Sequence, residues 1–192
     1  MNRLVLKFGG TSVGTITKIK NVANIVKKKH QEGNEIIVVV SAMSGVTNDL
    51  MKKSHEVSEN FNIKELDVLL SSGEQASSAL LAGAIIDLGV NARSWMGWQV
   101  PIITDNNYSS SQIKGIITKE IENFISKSGI AIIAGFQGVS EEKRITTLGR
   151  GGSDLSAVAI AKFFKTNFCE IYTDVEGVLS TDPSINKAAK KI

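Results

Sequence analysis

The sequence predicts an α/β fold, a mostly parallel sheet covered by helices on both faces. Three observations carry this. Short β-branched runs, Ile36 to Val40 and Ile130 to Ala134, read as strands buried on both sides. Stretches with apolar residues at helical spacing alternate with them. Glycines cluster just after the strands or just before the helices, at Gly9-Gly10, Gly45, Gly135 with Gly138, and Gly149 with Gly151-Gly152.

Leu4-Val5-Leu6 reads as the first strand. Ile16, Ile19, Val22, Ala23 and Val26 then recur with helical spacing, and Gly33 marks the stop. The second strand is Ile36 to Val40. Helical patterns resume at Leu50-Met51 and again over 66–88, where Ser71-Ser72-Gly73 predicts an interruption and Gly89 a stop. Asn91 to Trp95 reads as a strand, and Ile113, Ile116, Ile117, Ile121 and Phe124 mark another helix. After the strand Ile130 to Ala134, the polar turn Glu141-Glu142-Lys143 predicts a hairpin. Ser153 to Phe164 is an Ala-rich helix, followed by a strand from Cys169 to Thr173. There is no internal repeat, low-complexity segment or linker.

The 192 residues suffice for one domain with a core, and 42% hydrophobic with 21% charged residues is an ordinary globular mix. A net charge of +3 gives no sign of a nucleic-acid or membrane partner. The run Lys27-Lys28-Lys29 suits a solvated face at the negative end of a helix. Cys169 is the only cysteine, so no intrachain disulfide is possible and a reducing cytoplasmic setting is expected, with the thiol buried in its strand. His30 and His55 fall on polar helix faces, and no metal site is expected. The start of the chain does not read as a signal peptide. The longest apolar stretch, Ala79 to Ile86, falls short of the ~20 residues that span a bilayer.

Neither GxxxxGK[ST] nor GxGxxG occurs, so the common nucleotide-binding loops are not indicated. The chemistry-bearing segments are of another kind. In parallel α/β sheets ligands gather beyond the carboxyl ends of the strands, where glycines let the backbone approach and helix starts hold anions. Lys7-Phe8-Gly9-Gly10 places a point charge and two glycines at the end of the first strand, which suits a phosphate. Gly149-Arg150-Gly151-Gly152-Ser153-Asp154 opens a helix with an arginine able to grip a carboxylate through two hydrogen bonds. Asp154 suits a helix cap and a functional role equally well.

Taken together, KFGGTSVG at 7–14, SAMSGVTNDL at 41–50, SSGE at 71–74, AGFQGV at 134–139, TTLGRGGSD at 146–154 and YTDVEGVLSTDP at 172–183 resemble the aspartate kinases of the amino acid kinase family, in order and spacing. The short stretch between Thr47 and Glu74 is similar to the short monofunctional type. The resemblance implies a three-layer α/β/α sandwich of carbamate kinase-like fold. It also implies a reaction in which ATP, entering with Mg2+, phosphorylates the side-chain carboxylate of L-aspartate, the first step towards lysine, threonine and methionine. By the same resemblance, Lys7 and Asp154 are catalytic, Lys7 stabilising the transferring phosphoryl group and Asp154 orienting the cations. Ser41, Thr47, Glu74, Phe136, Arg150 and Ser153 form the aspartate site, Glu74 taking the ammonium and Arg150 the α-carboxylate. Lys7, Gly9, Gly10, Thr173, Asp174 and Leu179 contact the nucleotide.

The resemblance further implies an aspartate-binding lobe at about 1–150 and part of a nucleotide-binding lobe at about 151–192. The family continues beyond this point with more of that lobe and with regulatory ACT domains, so the chain reads as C-terminally incomplete. Leu179 stands where the family usually has an aromatic residue, and Ser184 where it usually has an arginine. Low kinase activity is therefore expected of this chain, as is self-association through an uncovered sheet edge or apolar face. Two alternatives remain open on the residues: a non-catalytic remnant that binds aspartate or assembles with another chain, and another amino acid kinase.

Overall fold

The computed structural model describes residues 2–173; Asp174, Leu179 and Ser184 lie outside them. In chain order the elements are β1 (Arg3–Phe8), α1 (Ile16–Gln31), β2 (Glu35–Val40), α2 (Val46–Val57), α3 (Ile63–Asp87), β3 (Ala92–Trp95), β4 (Ile102–Thr104), β5 (Ile113–Ile116), α4 (Lys119–Ile125), β6 (Ile130–Ala134), β7 (Gln137–Val139), β8 (Ile145–Thr147), α5 (Gly152–Phe163) and β9 (Cys169–Tyr172).

The apolar strands form one sheet in the order β3-β6-β2-β1-β9, with every neighbouring pair parallel. Strand alternation sends side chains to both faces. Leu4, Leu6, Phe8, Ile36, Val38, Val40, Ile130 and Ile132 pack with residues of α1 and α3. Val5, Ile37, Val39, Ala131 and Ile133 pack with residues of α4 and α5. The result is the three-layer α/β/α arrangement that the sequence predicts. The register aligns Phe8 with Val40 and Val40 with Ala134. The residues that follow, Gly9, Ser41 and Gly135, therefore line one rim.

A smaller sheet, in the order β5-β4-β7-β8, flanks this rim. Strands β7 and β8 form the predicted antiparallel hairpin, and β4 joins β7 in parallel. Helix α1 begins under a Thr15 cap that accepts a hydrogen bond from Lys18 N and ends before Gly33, which has φ 87°.

Four sequence expectations are corrected. Helix α3 runs unbroken through Ser71-Ser72-Gly73. Both hydroxyls donate back into the helix, Ser71 to Val68 O and Ser72 to Leu69 O, so they do not compete with its backbone. A Cβ on Gly73 would lie 2.8 Å from Ala42 Cβ, so the glycine lets α3 touch the turn after β2. The second correction is at Ile113 and Ile116, which belong to strand β5; the helix starts only at Lys119. Third, β4 is a strand that the apolar patterning does not predict. Finally, Cys169 is half-buried rather than buried, and its partial burial pushes the thiol pKa up.

Candidate active site

A cleft of about 270 Å³ opens at the carboxyl rim of the main sheet, lined by Lys7, Ser41, Ala42, Thr47, Glu74, Phe136 and residues 149–154. Lys7 reaches it because alternation puts Val5 and Lys7 on the α5 side of β1. Its residue surface is 7% exposed, and Nζ lies 2.6 Å from Asp154 Oδ1. Asp154 is the third residue of α5, whose N-cap is Gly151 in a left-handed conformation (φ 72°). The aspartate is therefore not the cap; it is the counter-ion of Lys7, with a carboxylate that is half exposed.

Glu74 comes from α3 and is 4% exposed. Oε1 accepts a hydrogen bond from Ala42 N at 3.0 Å, while Oε2 is buried and has no hydrogen-bond partner among the described residues. Burial pushes the Glu74 pKa up to about 7, against the opposing pull of the Ala42 amide. Ser77, one turn further along α3, donates to Ser41 O at 2.7 Å. Together these bonds fix the turn after β2 to α3, with Ser41 and Thr47 on the cleft wall.

The opposite wall is the turn between β8 and α5. Arg150 is exposed at its tip and makes no hydrogen bond or ion pair with any described residue. Phe136 sits in the left-handed region at φ 69°. Its amide donates to Ser156 Oγ, its carbonyl accepts from Leu148 N, and a Cβ on Gly152 would lie 2.7 Å from its ring. Phe136 is thus wedged against the glycine turn. Ser153 is buried, and Gly135 is glycine because a Cβ there would lie 2.9 Å from Ser153 Oγ.

Not every expected residue lines this cleft. Gly9 and Gly10 lie on the same rim outside its wall. A Cβ on Gly9 would come within 3.4 Å of Lys7 Nζ, and one on Gly10 within 2.8 Å of Ala42 O. Thr173 lines a separate hollow with Phe8, Thr11, Ser12, Lys18 and Tyr172. Asp174 and Leu179 lie outside the described residues. Sequence reasoning missed Ser77 and Asp67. Asp67 is a fully buried carboxylate whose signal was its place on the buried stripe of α3 with Leu70, Glu74, Leu81 and Ile85.

Among the described residues the cleft thus offers a buried lysine, an arginine without a partner and a buried carboxylate with one idle oxygen. That set can hold a zwitterion by both its charges and leave a cation beside an anionic reacting group. Among the described residues there is no cluster of side chains suited to a metal, and no helix long and apolar enough to cross a membrane.

The chain is similar to known proteins in sequence and in fold. Aspartokinases from Rickettsia felis and Geobacillus stearothermophilus are each 48% identical over all of this chain, which covers 49% and 47% of them. The chain therefore spans about half the length of the curated relatives it matches. The crystal structure of aspartate kinase from Synechocystis superposes with a TM-score of 0.81 at 44% identity, covering 97% of this chain and 31% of that one. E. coli aspartokinase III, solved in complex with aspartate and ADP in its R-state, shares the fold at TM-score 0.83 and 24% identity, covering 100% of this chain and 53% of that one. The model of the amino acid kinase family matches residues 2–192, and the chain belongs to that family.

Proposed function

We propose that this chain carries the acceptor site of an aspartate kinase, which transfers the γ-phosphoryl group of Mg-ATP to the side-chain carboxylate of L-aspartate. The observation that carries the reading is the pairing of idle charges in one cleft: among the described residues Glu74 Oε2 has no partner and Arg150 no counter-ion, and Lys7 lines the same cleft. The similarity to aspartokinases at 48% identity supports the choice of acceptor.

In this reading Glu74 takes the substrate ammonium and Arg150 the α-carboxylate, with Ser41, Thr47, Phe136 and Ser153 shaping the pocket. The side-chain carboxylate is already ionised at neutral pH, its ordinary pKa being about 4, and needs no general base. Its oxygen attacks the γ-phosphorus as the bond to the ADP oxygen breaks. Lys7 neutralises the charge on the transferring group, and Asp154 holds Lys7 in place. Gly9 and Gly10 present backbone to the phosphates from the same rim, and Thr173 lies on the nucleotide side. This assigns residues up to about 150 chiefly to the acceptor and the rest to the nucleotide, in a cytoplasmic setting.

Self-association belongs to the same proposal. Among the described residues β9 is an edge strand, and Leu155, Val158 and Ile171 are exposed apolar side chains near it. Light scattering tests this; a monomer at high concentration refutes it.

The catalytic test is acyl-phosphate trapping with hydroxylamine, using L-aspartate and Mg-ATP. Calorimetric titration of L-aspartate tests the acceptor site independently of turnover. Trapped product lost in Lys7→Ala, or aspartate binding lost in Arg150→Ala, supports the assignment. Phosphorylation of a different amino acid in preference to aspartate refutes it.

A further inference from the structure

Asp67 is the most completely buried carboxylate among the described residues, at 0% exposure, and none of their cations forms an ion pair with it. It is held instead by four donors. Oδ2 accepts the backbone amides of Ser109 (2.9 Å) and Thr147 (2.8 Å), and Oδ1 accepts the hydroxyls of the same two residues (2.8 Å each). A buried carboxylate is expensive unless it is fully hydrogen-bonded, so this geometry is strongly specified.

The two residues it grips flank the arginine turn. Thr147 ends β8, three positions before Arg150. Ser109 is a non-glycine residue at φ 62°, and its carbonyl oxygen lies 3.0 Å from where a Cβ on Gly149 would sit. Gly149 itself is left-handed at φ 75°. The Ser109 loop therefore props the turn from one side while Thr147 anchors it from the strand. Asp67 shares the buried stripe of α3 with Glu74, about two turns further along.

We infer that Asp67 is a positioning residue. Through Ser109 and Thr147 it fixes the Gly149-Arg150 turn relative to Glu74, and so sets the separation of the two charges that grip the amino-acid acceptor. This rests on the proposed acceptor site for its consequence, but not for its structural core. Surface pairs nearby, Arg144 with Glu65 and Lys64 with Glu142, tie the same helix to the β7–β8 hairpin, but both are solvent-screened.

Hydroxyls can donate or accept. Asp67→Asn therefore keeps all four contacts, its oxygen taking the two amides and its amide nitrogen facing reversed hydroxyls. Asp67→Ala keeps none. The test is hydrogen exchange on the full chain, paired with calorimetric titration of L-aspartate. In Asp67→Ala, exchange at residues 148–153 should rise about tenfold or more beyond any rise in β1, β2 and β6, and aspartate should bind about tenfold more weakly. Asp67→Asn should restore both to within about threefold of wild type. If Asp67→Ala does not fold, Thr147→Val, which keeps shape and backbone bond, should show the same local pattern at smaller size. Exchange raised evenly along the chain, or Asp67→Asn as mobile at 148–153 as Asp67→Ala, overturns the inference. A wild-type chain that binds no aspartate defeats the acceptor reading instead, while the exchange pattern still decides the role of Asp67.

Discussion

Glu74→Gln should remove a pH dependence of stability that the wild-type chain shows. The Glu74 pKa is raised from the ordinary 4.5 to about 7, chiefly by burial. The folded state thus binds this proton more tightly than the unfolded one. The stabilisation is fully present below pH 4.5 and is lost as pH rises through about 7. At 1.36 kcal/mol per pH unit the whole change is about 3 kcal/mol. Urea unfolding of both proteins between pH 4.5 and 8 measures it. Stability of the glutamine variant relative to wild type should climb by about that amount across the window. A bound amino acid should reverse the trend, because its ammonium stabilises the ionised carboxylate. Aspartate should bind more tightly as pH rises towards 8, with protons released on binding near pH 6.5 to 7, seen in buffers of different ionisation enthalpy. Parallel pH profiles for wild type and Glu74→Gln would refute the account of burial.

The remaining predictions concern the cleft walls. Arg150→Ala should leave stability within about 0.5 kcal/mol, since Arg150 contacts no described partner, yet weaken aspartate binding by about 1.5–3 kcal/mol. Thermal unfolding and calorimetry on one preparation check both halves. Gly73→Ala should destabilise by about 1–3 kcal/mol, because its methyl would press on Ala42 Cβ at 2.8 Å; chemical denaturation measures this, and a neutral result would mean α3 can shift. Asp154→Ala should destabilise by about 1–3 kcal/mol, because it leaves the buried Lys7 ammonium without its counter-ion, while abolishing any trapped acyl phosphate; a variant that still turns over would remove Asp154 from the mechanism.

The parallel sheet was legible because Ile36 to Val40 and Ile130 to Ala134 have no polar face to misread. The small sheet was not. Strand β4 has only three residues, and the spacing of Ile113, Ile116 and Ile117 fits a helix as well as a strand. Ser71-Ser72-Gly73 resembles a break because local propensity does not register the neighbour that Gly73 accommodates. Motif resemblance brought Lys7, Glu74, Arg150 and Asp154 to one cleft although they come from three separate segments. No local pattern carries the partner of Lys7, since the salt bridge spans most of the chain; the resemblance alone, which gives Asp154 the role of orienting Lys7, brings the two together. Asp67 had a readable signal, a charge on an apolar helical stripe, but its partners at Ser109 and Thr147 depend on tertiary packing.

The aligned register of β1, β2 and β6 has a consequence for how such a chain can change in length. At the amino ends of β2 and β3 the connecting turns have slack, since a Cβ at Gly33 or Gly89 would meet nothing within 4 Å, whereas before β6 one at Gly129 would press on the Phe124 ring at 2.5 Å. Directly after the carboxyl ends of β1 and β6 there is none, since a Cβ at Gly10 would lie 2.8 Å from Ala42 O and one at Gly135 2.9 Å from Ser153 Oγ. One residue inserted before β2 can be absorbed where the chain turns. One residue inserted after it would push Ser41 and Ala42 out of line with Lys7 and Glu74. Insertions and deletions should therefore accumulate in the turns before β2 and β3, leaving the carboxyl rim a fixed edge along which the chemistry is aligned.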